Sequence, residues 1–117
     1  MSQSNTRVGD IRVLAGETLT GMEARLVKMT HDTGVPEVKL PGAITDYALY
    51  VVKEGAADAA LVSVQPIEAN RNVRLKLKGT CNPGDVLVLA AIAGSDAGMV
   101  RALPTAGGTY RGLAVAE

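Results

Sequence analysis

Residues 72–92, NVRLKLKGTCNPGDVLVLAAI, decide the fold class. The first seven alternate without a fault: Val73, Leu75 and Leu77 fall on one face, Arg74, Lys76 and Lys78 on the other. A period of two belongs to a strand with one dry and one wet face. Residues 79–84, with Asn82-Pro83-Gly84, carry the residue types of a chain reversal. Residues 85–92 then leave the turn as a second strand that is apolar on both faces.

The same grammar extends in both directions. Short apolar stretches at 11–14, 25–29, 35–40, 47–53, 60–65, 99–103 and 110–116 are separated by Gly, Pro, Asp and Asn. Strands recurring every ~8–12 residues predict an all-β domain, a small β-barrel or sandwich of short antiparallel strands. One segment offers a second pattern. Leu19, Met22, Leu26 and Met29 also fit a helix stripe. Gly21 weakens a helix there and Val27 favours a strand, so the strand at 25–29 is preferred.

The chain has 117 residues, which suits one domain over 11–117 preceded by an arm. Residues 1–10, MSQSNTRVGD, are polar and read as that flexible N-terminal arm. They have no apolar centre of the kind a secretory signal needs. No apolar run approaches the ~20 residues that cross a bilayer, so no membrane partner is expected. Three Tyr are the only aromatics, so the core is expected to be aliphatic. Twelve basic residues balance twelve acidic ones. Without a cationic excess or aromatic platforms, nucleic acid is not expected as a partner.

Few residues offer chemistry. His31-Asp32 sits in a turn with Gly34, where sequence neighbours point apart. Cys81 is the only cysteine and lies in the 79–84 turn, with no base nearby in sequence to activate it. One His and one Cys do not make a zinc set. Asp46, Glu54 and Asp58 lack the oxygen-ligand spacing of a calcium loop. The glycines of 94–98 and 107–108 precede neither a helix nor a Lys-Ser/Thr pair, so they are turn glycines. The expectation is a protein that is not an enzyme and uses no cofactor or metal.

Two strands, 47–52 and 86–92, are apolar on both faces, and one core covers only one face of each. Large bare apolar patches are rare on monomers, so a neighbouring subunit is the expected cover, with loops lying across those strands as the alternative. This nominates Tyr47, Leu49, Val51, Val86 and Val88 as the oligomer interface. The row Arg74, Lys76 and Lys78 reads as a solvated face or as one that meets an acidic partner.

Three stretches, AGETLTGMEARLVKM (15–29), CNPGDVLVLAA (81–91) and GGTYRGLAVAE (107–117), with YALYVVKEGAADAALVSVQ (47–65) between, resemble the head decoration, or capsid cement, proteins of tailed bacteriophages and prophages. The matching positions are Leu19-Thr20, 25–28, Gly34-Val35, 84–86 and 112–114. The resemblance covers residues from about 15 onward through turns and short apolar strands. Relatives often continue into another turn and a valine-rich strand, whereas this sequence stops at Glu117, so the strand count is open. The resemblance implies a barrel or tulip-like fold and a homotrimer on the outer surface of the virion head. It further implies synthesis in the bacterial cytoplasm and binding to the major capsid protein, which stabilises the expanded shell against packaged DNA. Thr6, Arg7, Val8 and Ile11 are then the capsid-binding arm, ordering on a sheet edge. The rival readings are a small ligand- or carbohydrate-binding β module without catalysis, and a carrier domain. The second lacks a lysine at a hairpin tip.

Overall fold

The computed structural model describes residues 10–31, 34–68, 72–104 and 110–117. Eight short strands follow one another: β1 Ile11–Ala15, β2 Leu26–Thr30, β3 Glu37–Lys39, β4 Tyr50–Glu54, β5 Leu61–Pro66, β6 Val86–Leu89, β7 Val100–Ala102 and β8 Ala114–Val115. A 3-10 turn, Gly94–Asp96, lies between β6 and β7. The fold is all-β, as the alternation in the sequence requires. The first five strands close a barrel in the order β1-β3-β2-β4-β5, and the last three form a small sheet in the order β7-β6-β8.

All barrel neighbours are antiparallel except β1 and β3, which run parallel at Leu14–Glu37 and Ala15–Val38. Closure leaves the barrel without a long exposed edge. Its interior is filled by Ala15, Leu19, Val27, Val38, Val52, Val62 and Val64, all fully buried. The prevalence of valine follows from the geometry: β-branched side chains pack well on a pleated surface and fit a narrow barrel.

The helix stripe at 19–29 does not form a helix. Leu19 instead plugs the barrel from a loop, its N–H donating to the Ala56 carbonyl at 2.8 Å. Gly21 and Ala24 take left-handed φ values of 77° and 65°, which an α-helix does not permit. Gly55 closes over this loop, because any side chain there would strike the Leu19 carbonyl.

A second core lies outside the barrel. On β2 and β4 successive residues face opposite sides: Val27 and Val52 point into the barrel, while Leu26 and Val51, which are register partners, point outward. The outward pair packs with Ala48, Leu87, Leu89 and Val100. The β2–β4 pair is therefore a wall shared by two cores. The Leu26 N–H donates to the Gly98 carbonyl at 2.8 Å, and Arg25 Nη1 donates to the carbonyls of Ser95 (2.6 Å) and Ala97 (3.0 Å). These bonds hold the 94–98 turn against the wall.

At Val51 and Val88 this arrangement corrects the expectation that a neighbouring subunit covers β4 and β6: the outer face of β4 and the inner face of β6 pack on each other within the chain. Val51 and Val88 are 1% and 0% exposed, so neither is available to a partner. Ile11 is likewise not part of an arm. It pairs with Val64 in β1 and packs against the barrel core. The strand expected at 72–78 reduces to one parallel bridge between Leu77 and Val100. Its alternation has the predicted sense, with Val73, Leu75 and Leu77 packed inward and Arg74, Lys76 and Lys78 exposed.

Candidate functional site: an open apolar cleft beside the second sheet

The second core is not closed. Between residues 72–77 and 113–117 lies a cleft of about 720 Å³. Leu87 and Val100 line it from the small sheet, Val73, Leu75 and Leu77 from the alternating segment, and Leu49 and Ile67 from the segments flanking β4 and β5. Glu68, Asn72 and Glu117 contribute polar groups, and Cys81 adds its half-buried thiol.

Local bonds set the cleft's shape. The Lys76 N–H donates to the Ala24 carbonyl at 2.7 Å, and the Lys78 N–H donates to the Val100 carbonyl at 2.8 Å. This pins the C-terminal half of the segment to the wall and to β7, so Val73, Leu75 and Leu77 must face the cleft. The Ile67 N–H donates to the Leu49 carbonyl at 2.9 Å, which holds two more lining residues together.

Near this cleft Arg111 stacks on the ring of Tyr47, its guanidinium carbon 3.8 Å from the centroid, while its Nε donates to the Thr45 carbonyl at 2.6 Å. Leu49 and Leu113, each two residues further on in sequence, line the cleft. Tyr47 is 64% exposed and Leu49 38%, so these two of the nominated interface residues do reach solvent. Val86 is also exposed, on the opposite face of the sheet from Leu87. The sequence reading missed Arg111 and the 113–117 lining; the spacing of Arg111 and Leu113, matching that of Tyr47 and Leu49, was the available signal.

Of the basic row, Lys78 pairs with Asp96 at 2.8 Å, and Arg74 and Lys76 are exposed. The 42–46 turn is held by Asp46, whose carboxylate accepts from Lys28 Nζ (3.0 Å) and from the N–H groups of Gly42 (2.8 Å) and Ala43 (3.0 Å). The Lys28 hydrogen bond, aided by those N–H groups, holds the Asp46 carboxyl below its ordinary range.

Among the described residues, no three His, Cys, Asp or Glu side chains come together in a way that could hold a metal ion. His31 is exposed, and Asp32 lies outside the described residues, as do Thr6, Arg7, Val8 and the 107–108 glycines. Among those described, no helix is long and apolar enough to cross a membrane. No family model, no curated protein and no solved structure matches this chain.

Proposed function

We propose that this protein is structural: a head decoration protein that assembles as a homotrimer and binds the outside of an expanded phage head, clamping neighbouring capsid subunits. The observation that carries the reading is the exposed Tyr47, stacked by Arg111 and followed by Leu49 at the cleft. Interfaces between proteins concentrate their binding energy in aromatic and arginine anchors set beside apolar pockets. A trimer attached at several points gains avidity, so modest contacts sum to firm attachment. The polar segment holding Thr6, Arg7 and Val8 suits ordering on a capsid sheet edge.

Two measurements test this. Light scattering gives the mass, and co-sedimentation with purified expanded heads gives binding. A chain carrying Tyr47→Ala should lose assembly while keeping its fold. A protein that ignores expanded heads at micromolar concentration overturns the reading.

The cleft volume favours a second reading, since pockets for small ligands span ~300–1,000 Å³. An apolar ligand recovered from the purified protein by mass spectrometry in stoichiometric amount would support it.

A further inference from the structure

We propose that the edge of β8 left unpaired by the described strands pairs with β8 of a second copy of this chain, antiparallel and about a two-fold axis, with Arg111 of each copy opposite Glu117 of the other. Four observations converge on it.

The order β7-β6-β8 gives β8 one neighbour among the described strands. An edge strand directs alternate N–H and C=O groups away from its single partner, which makes it a template for another strand. Residues 113–117 all line the cleft consecutively. Side chains of a strand alternate between faces, so consecutive residues border one space when the backbone edge itself faces it. The cleft thus reaches this edge as well as the inner face of the sheet, which Leu87 and Val100 line.

The side chains permit close approach. Gly112, Ala114 and Ala116 are small. Val115 is 60% exposed, and its register partner Val86 is exposed beside it. An apolar patch on an unpaired edge is a surface for strand addition.

Charge selects the occupant and the register. Arg111 stands before this segment and Glu117 after it, about 20 Å apart along an extended chain. Antiparallel self-pairing centred on Ala114 sets Arg111 against Glu117, Gly112 against Ala116 and Leu113 against Val115, then repeats each pair by symmetry. A parallel arrangement sets like charge against like. Stacking on Tyr47 and the bond to Thr45 already hold the Arg111 guanidinium, so little side-chain freedom is lost when a carboxylate docks on it.

The contact is two-fold and self-complementary. Its two-fold symmetry differs from that of a homotrimer's ring contact, though it shares the Tyr47–Arg111 stack with the proposed assembly surface. Alone it gives two chains; combined with a ring it gives six.

The test is the mass of the full chain by analytical ultracentrifugation over a dilution series. The wild type should sediment as two or six chains. Glu117→Arg sets arginine against arginine and should weaken the contact at least ~10-fold, halving the mass to one or three. The double variant R111E/E117R should recover a weaker even-numbered particle. Circular dichroism checks that each variant folds. The Val115 amide, which points away from β6, should also gain hydrogen-exchange protection as wild-type concentration rises. A wild type of one or three chains, a mass that Glu117→Arg does not move, or a double variant that does not reassociate overturns the proposal. A three-chain wild type would leave the trimer reading standing while removing this one.

Discussion

Leu19 and Leu87 are both leucines in the interior, at 0% and 7% exposure, yet they sit in cores of different kind. Leu19 is sealed inside the closed barrel, whereas Leu87 lines the open cleft. Replacing either with alanine removes three carbons, worth about 2.4 kcal/mol at ~0.8 kcal/mol per carbon. In the barrel a cavity term adds to this, because the surrounding strands relax only in part, and Leu19→Ala should cost about 3–5 kcal/mol. Beside the cleft the vacated space joins one already open, so Leu87→Ala should cost about 2 kcal/mol, close to the transfer term alone. Urea denaturation at low protein concentration, followed by circular dichroism, separates them: at a slope of ~2 kcal/mol per molar, a difference of about 2 kcal/mol shifts the midpoint by about 1 M. If the cleft is filled by a second copy, the cost of Leu87→Ala should grow with protein concentration. Equal costs at high dilution, or a larger cost at Leu87, would refute the contrast between a closed and an open core.

Three other outcomes follow from the structure. Val51→Asp places an unpaired carboxylate in the second core and should abolish folding instead of releasing folded monomers, as a one-dimensional NMR spectrum would reveal. Gly98 is buried at φ 77°, and a methyl group there would lie 2.7 Å from the Leu26 carbonyl, so Gly98→Ala should lower stability by more than ~1 kcal/mol in thermal or urea melts. The depressed Asp46 pKa means that its contribution is present above pH ~3.9 and is lost as pH falls through the folded-state value. The stability gap between wild type and Asp46→Asn should therefore narrow on acidification below pH ~4; a gap that stays constant down to pH 2 would show that the carboxylate charge is not the source.

Much of the β architecture was legible in local pattern. Alternation and turn residues located seven of the eight strands to within about three residues, because both are properties of adjacent positions. What local pattern cannot carry is which partner a face meets. The doubly apolar character of residues 51–52 was visible, but whether the outer face met another subunit or the chain's own C-terminal sheet depended on contacts 36 or more residues away, such as Val51 with Leu87. Residues 72–78 show the converse. Their alternation reports burial faithfully, yet a ladder also needs a neighbour, and among the described residues only Leu77 of this segment forms a bridge. β8 was expected over 110–116 and is regular only at Ala114–Val115, since pairing on one edge supports few residues. Arg111 escaped notice because stacking on Tyr47 joins positions 64 residues apart.

The wall formed by β2 and β4 has a practical corollary for anyone wishing to dissect the molecule. A fragment ending near residue 68 would contain every strand of the barrel, yet it would lay bare Leu26 and Val51, the outward pair that the later sheet covers. Such a truncation would clump through that stripe. The complementary fragment would have no surface to fold upon. The two halves are thus distinguishable to the eye but not separable at the bench.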